Sequence, residues 1–259
     1  MKLKGILLLI LLVAVAAGVV VALVCLRPKV CERVEVRLEY TGADTLLTRE
    51  EVLSILNGHG LQLVGSAPGQ LRRADVENAL RTNVWFDSLL SLTPVGSTLM
   101  MDIRVKSPLV AVYPASGMPY YIGHGGELLP DNSRVQSHLM VLNGKVNTPY
   151  RAGTNVATVK EPALKEAYRI ALAIEADSVF SSQLTQLYVN DDSEVEACNP
   201  LFRHTVLFGH ADNLEQKLRQ LHIVYDEALI YMPAETYSKV DVRFKNRVFA
   251  TRKNITNTL

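Results

Sequence analysis

From Gly5 to Leu26 the chain reads GILLLILLVAVAAGVVVALVCL, a run without a single charge. As a helix at ~1.5 Å per residue it extends about 33 Å, and a bilayer's hydrocarbon core is roughly 30 Å thick. The run therefore predicts a membrane-spanning segment. A cleavable export signal is the competing reading, but its apolar region runs only about 7–15 residues and closes on small side chains. Here Leu26-Arg27-Pro28 follows, and Leu23-Val24 is a poor lead-in to a lipid-modified Cys25. The expectation is one uncleaved anchor at 5–26, with the short end 1–4 on one side and the folded mass on the other. Flanking charge orients it weakly, because Lys2 and Lys4 before the span nearly balance Arg27, Lys29 and Arg33 after it.

The chain has 259 residues and a formal net charge of +1. That length holds one large or two ordinary domains, each able to bury a core. The near-neutral balance argues against a general nucleic-acid binder. Cys25, Cys31 and Cys198 are too scattered for a zinc site, and no C-x-x-C occurs. A Cys31–Cys198 bond is conceivable in an extracytoplasmic domain. Small buried thiols are the plainer expectation.

After the anchor, RVEVRLEY (33–40) alternates with the two-residue period of a strand. In TREEVLSILNG, Thr48 and Glu51 have the spacing of a capping box and Gly58 is placed to stop the helix. A second helix is expected over 69–83, with Leu71, Val76, Ala79 and Leu80 inward. Two strands follow around a Pro-Val-Gly-Ser turn, giving the order β-α-α-β-β.

The remainder begins with three short strands, LVAVYP, PYYIGHGGELLP and SHLMVLNGKV. A helix opens near Pro162, with Leu164, Ala167, Tyr168, Ala171 and Ile174 on one face. Strands TQLYVNDDSEVEACNP and RHTVLFGH come next. A last helix is expected to use Asp212 as cap and to turn Leu214, Leu218, Leu221, Tyr225 and Leu229 inward. The closing YSKVDVRFKNRVFATRKNITNTL reads as two strands joined by a Lys-Asn-Arg turn, with Val240, Val242 and Phe244 on the apolar side.

Enzyme chemistry finds little support. Gly123, Gly125 and Gly126 separate two apolar strands, whereas a phosphate loop lies between a strand and a helix, so this loop is expected only to turn the chain. His124 has no ligand-bearing neighbour at metal spacing, and His204 and His210 read as a turn and surface pair. VNDDSEVE lacks the mid-loop glycine of a calcium site and reads as a solvated hairpin turn. Neither a G-x-S-x-G elbow nor an S-x-x-K set with its supporting motifs is present. A glycosidase pair of carboxylates stays open, since sequence cannot exclude one. Trp85 beside Phe86 is expected to pack in a core or at a domain junction.

The order of these elements resembles the FtsQ/DivIB family. A β-α-α-β-β module soon after a membrane span, ending in IRVKSPLVAVYP, is similar to that family's POTRA domain. YYIGHGGELLP is similar to its YI-x-x-x-G-x-x-x-P hairpin, and VDVRFKNRVFA to its closing strand pair. The resemblance implies an α+β chain: a transmembrane helix (5–26), a POTRA-like domain (31–107), a mixed α+β domain on an antiparallel-rich sheet (108–252) and a polar tail (253–259). It further implies a non-enzymatic scaffold without cofactors, anchored in the inner membrane at the division septum. Its amino terminus would be cytoplasmic and its domains periplasmic. The implied partners are the FtsB- and FtsL-like coiled-coil proteins and, through them, the FtsW/FtsI-like septal synthase. The matched partner-binding positions are Asp241, Arg243, Phe244, Val248, Phe249 and Ala250. An anchored cell-wall hydrolase and a POTRA-bearing transport or assembly component are the alternatives.

Overall fold

The computed structural model describes residues 15, 30–41, 44–67 and 71–253. Apart from Val15, the expected Gly5–Leu26 span lies outside the described residues, as does the tail after Lys253. Among the described residues no helix is long and apolar enough to cross a membrane. The chain divides into two compact units, one of Met1–Glu39 with Leu47–Arg104 and one of Tyr40–Leu46 with Val105–Leu259.

The first unit carries β1 (Arg33–Glu39), α1 (Arg49–Gly58), α2 (Arg73–Leu80), β2 (Phe86–Val95) and β3 (Thr98–Val105). This is the β-α-α-β-β order read from the sequence. The sheet order is β1-β3-β2, with β1 parallel to β3 from Arg33 opposite Thr98 to Glu39 opposite Arg104. Alternation sets the faces. Leu99, Met101 and Ile103 are buried with Val34, while Arg33, Arg37 and Arg104 are exposed. α1 begins with the expected capping box: Glu51 N–H donates to Thr48 Oγ1 at 3.3 Å and Thr48 N–H to Glu51 Oε2 at 2.8 Å. α2 is shorter than expected. It starts at Arg73 without a side-chain cap and ends at Leu80. Asn83 Oδ1 then takes the Trp85 N–H and turns the chain into β2. Trp85 is buried.

The second unit is built on nine strands. They are β4 (Pro108–Val112), β5 (Tyr120–Gly123), β6 (Leu128–Pro130), β7 (Met140–Gly144), β8 (Gln186–Val189), β9 (Val195–Asn199), β10 (His204–Gly209), β11 (Tyr237–Asp241) and β12 (Phe249–Arg252). Their order is β12-β11-β10-β9-β8-β7-β4-β5-β6. Five pairings are antiparallel; β4–β7, β7–β8 and β10–β11 are parallel. A parallel pair needs a crossover. The β5–β6 hairpin, α3 (Pro162–Glu175) and α5 (Leu214–Glu227) supply the three crossovers, and a single turn, α4 (Phe180–Gln183), follows α3. α3 has Pro162 at its first position, and Ala163, Leu164, Ala167, Ile170, Ala171 and Ile174 form a continuous buried stripe. The Tyr40–Leu46 segment joins this unit because Asp44 Oδ1 accepts from Gln136 N–H at 2.8 Å and Ser137 N–H at 3.0 Å.

Several local expectations change. Asp212 does not cap α5; the N-cap is Asn213, in a left-handed conformation at φ 48°. Asp212 instead accepts from the buried Lys217 ammonium at 2.6 Å, which also donates to the Phe208 and His210 carbonyls. A lysine inside the core is tolerable only when its donors are satisfied, and these partners serve it. Gly123–Gly126 do form the β5–β6 turn, closed by Gly126 N–H on the Gly123 carbonyl at 2.9 Å. Within that loop the positive φ is at Gly126 (81°), while a Cβ on Gly123 would meet the Glu127 carboxylate at 2.3 Å. Cys31 and Cys198 are both free thiols.

Candidate partner-binding edge

β10, parallel to β11, pins the inner side of the closing strand pair. β12 lies antiparallel to β11, with Asp241 opposite Phe249 and Val240 opposite Ala250. β12 ends the sheet, all four of its residues are exposed, and among the described residues no strand pairs with its other side. Lys253 N–H turns inward to the Thr236 carbonyl at 3.1 Å. Backbone groups alternate along an antiparallel strand, so Thr251 and Phe249 face β11 and the N–H groups of Ala250 and Arg252 point outward. That unpaired row is a template for an added strand.

The six matched positions fall into distinct roles. Val240 and Val242 are buried as the alternation requires, but β11 stops at Asp241 and Phe244 leaves the strand. Its side chain is 47% exposed and packs edge-on against the Phe249 ring, 5.1 Å between centroids. Two half-exposed aromatics thus sit side by side where β12 begins. Val248 packs partly against the core, and Ala250 presents only a methyl group. The Lys-Asn-Arg turn forms, with Asn246 at φ 58° and Arg247 N–H on the Phe244 carbonyl. Gln220 of α5 also donates to the Phe244 carbonyl at 3.1 Å, fixing the turn to the helix.

Arg243 is committed within the chain. Its guanidinium meets Asp241 at 2.7 Å and Glu194 at 2.9 Å, and lies 5.6 Å from the Phe244 ring centre. The bond to Asp241, with Glu194 adding to it, holds the guanidinium pKa above its ordinary value. Burial would raise the Asp241 carboxyl, but Arg243 outweighs it and the carboxyl is held low. Gly209 makes room for this arrangement, since a Cβ there would lie 2.8 Å from Arg243 Cδ. Glu194, 49 residues away, and Gln220 carry no local signal in the sequence for these roles. Arg243 therefore orders the corner, and further cations line the groove between α5 and the turn, of which Arg219 pairs with Glu215 at 2.7 Å. That groove has a volume of about 880 Å³, and Arg219, Lys245 and Arg247 line it with Ile223 and Val248.

The histidines are also placed. His204 is not a surface residue: it is 5% exposed, with Nε2 2.6 Å from the Tyr225 hydroxyl. Burial pulls its pKa down to about 4, with the nearby Lys253 charge adding to the effect and a Phe202 backbone bond opposing it. His210 is on the surface and pairs with Glu166 at 2.7 Å. His124 Nδ1 contacts the Ser107 carbonyl at 3.1 Å, and its Nε2 meets Glu175 at 2.7 Å. Burial opposes its charge, but Glu175, the Ser107 carbonyl and Glu127 together raise its pKa. Among the described residues no group of three or more His, Cys, Asp or Glu side chains could hold a metal ion. The α5 groove and the grooves at His124 and Arg151 each carry one carboxylate: Glu215, Glu175 and Glu161 respectively.

The second unit is thus a mixed sheet whose β12 edge is open and flanked by two aromatic side chains. Residues 107–251 match the family described as FtsQ/DivIB, C-terminal related. The chain belongs to that family, whose members are cell-division proteins, generally without enzymatic activity. No curated protein matches the chain.

Proposed function

We propose that this protein is a non-enzymatic division scaffold, held in the cytoplasmic membrane by Gly5–Leu26, with both units outside the cytoplasm at the septum. The first unit is a POTRA-like module, a reading supported by its β-α-α-β-β order and its 1-3-2 sheet. The second unit binds an FtsB-like coiled-coil protein and its FtsL-like companion, and through them governs an FtsW/FtsI-like septal synthase. The observation that carries this reading is the open edge of β12, at the end of the family-matched region. On that edge Ala250 and Arg252 offer backbone pairing, while Phe244 and Phe249 offer apolar contact beside it.

Capture of the tagged full-length protein from detergent-solubilised membranes tests the proposal. The expected result is co-purification of two small single-span coiled-coil proteins, with the protein concentrated at the septum. Recovery of outer-membrane β-barrel components in their place would overturn it.

A further inference from the structure

The first unit has its own open edge. β1 ends the β1-β3-β2 sheet, and among the described residues no strand pairs with its outer side. Arg33 N–H turns inward to the Ser97 carbonyl, so by alternation Val34, Val36 and Leu38 direct their backbone groups outward. The Arg49 guanidinium reaches the Val34 carbonyl at 2.7 Å, which leaves Val36 and Leu38 as the open part of the edge. Both side chains are only half-buried.

The charges along this edge are arranged in an informative way. One face of β1 presents Arg33, Glu35, Arg37 and Glu39 in strict alternation of sign. Edge strands ordinarily use charge to prevent pairing with their own copies, which works when like charges meet. This pattern does the reverse. If two copies pair antiparallel about Val36, Arg33 faces Glu39 of the other copy and Glu35 faces Arg37. All four charged contacts across the two-fold are then attractive. The pattern also continues inward, where Arg37 lies opposite Asp102 and Glu39 opposite Arg104 on β3. On the other face, Val36 would meet its own mate, covering the half-buried apolar strip of both copies. Opposed side chains on paired strands lie about 4.5–5.5 Å apart, close enough for these contacts to bias register.

We propose that β1 is a self-association edge, and that two copies of this chain join through an antiparallel β1–β1 pairing centred on Val36. The two sheets then form one six-stranded sheet. This surface belongs to the first unit, so it does not depend on the partner assigned to β12.

A charge exchange between two full-length chains tests the pairing. Two differently tagged copies are mixed in detergent micelles and co-capture is measured against concentration. The parent chain is expected to co-capture itself. Glu35→Arg alone and Arg37→Glu alone each set like charges opposite one another twice, and each should weaken self-capture on the order of tenfold. A Glu35→Arg chain mixed with an Arg37→Glu chain restores all four attractive contacts, so that mixture should return to the parent level. Recovery in the mixture also shows that both variants are folded. No self-capture by the parent, unchanged self-capture by the single variants, or a mixture no stronger than either variant alone would each overturn the pairing.

Discussion

His204 lies within a chain of hydrogen bonds that fixes its neutral form. Tyr225 donates to Nε2, and the Tyr225 oxygen accepts from Asn199 Nδ2 at 2.9 Å. Protonating Nε2 would turn that acceptor into a donor and leave the Tyr225 proton without a partner. The folded pKa is about 4, against an ordinary value of 6.5. The unfolded chain therefore takes up the proton first as the pH falls. Stability from the neutral ring is fully present above pH 6.5 and is lost as the pH falls toward 4, by about 1.4 kcal/mol per unit and about 3 kcal/mol altogether. Between pH 7.5 and pH 5 the loss is roughly 2 kcal/mol. His204→Gln keeps an acceptor for Tyr225 but cannot titrate, so it should remove that slope whatever constant cost it adds. Denaturant unfolding can be followed separately in each unit, because all ten tyrosines lie in the second and the single tryptophan in the first. Near-UV tyrosine dichroism should show the parent's second unit losing about 2 kcal/mol more than the variant between pH 7.5 and pH 5. Trp85 fluorescence should show no difference between them. Parallel pH curves for parent and variant in the tyrosine signal would show that His204 does not titrate with folding.

Lys217→Met should cost about 2–4 kcal/mol in the same tyrosine signal, because the buried Phe208 carbonyl, the part-buried His210 carbonyl and Asp212 lose their donor; a near-neutral result would show that water replaces the ammonium. His124 tilts stability the other way from His204. Its pKa is raised by partners present only in the folded state, so its contribution is present below pH 6.5 and fades as the pH rises through the folded value. His124→Ala should therefore destabilise the second unit more at pH 5.5 than at pH 8.5, and Glu175→Gln should reproduce most of that difference.

Most elements were legible in the sequence because they are locally encoded. The Thr48–Glu51 box, Pro162 at a helix start and the glycine turn between β5 and β6 are each set by neighbours within a few residues. Most of what escaped was set by contacts distant in sequence. His204 is buried against Tyr225, 21 residues along the chain, and its own neighbours do not announce that contact; the Asp212 cap is lost to a nearer residue, Lys217, whose ammonium also reaches the Phe208 carbonyl in the core. The closing strand pair follows from the alternation of its residues, whereas Phe244 and Phe249 as partner positions come only from the family resemblance; that β12 ends the sheet shows in the strand order. That Phe244 leaves the strand to meet Phe249, and that Glu194 engages Arg243, depended on where β9 lies in the sheet. Sequence alternation fixes faces, and it carries no information about which distant carboxylate stands beside an arginine.

In the proposed complex a partner adds a strand to β12 through the outward backbone groups of Ala250 and Arg252. Affinity of the full-length chain for the purified FtsB-like partner should be measured for Ala250→Pro and Ala250→Val. Proline removes an outward donor and leaves the inward bonds of Phe249 and Thr251 intact, while valine keeps the donor and suits a strand. At least about a tenfold loss is expected for the proline variant and a small change for valine, with the tyrosine signal of both unchanged. Parent-like affinity in a folded Ala250→Pro protein would contradict strand addition at β12.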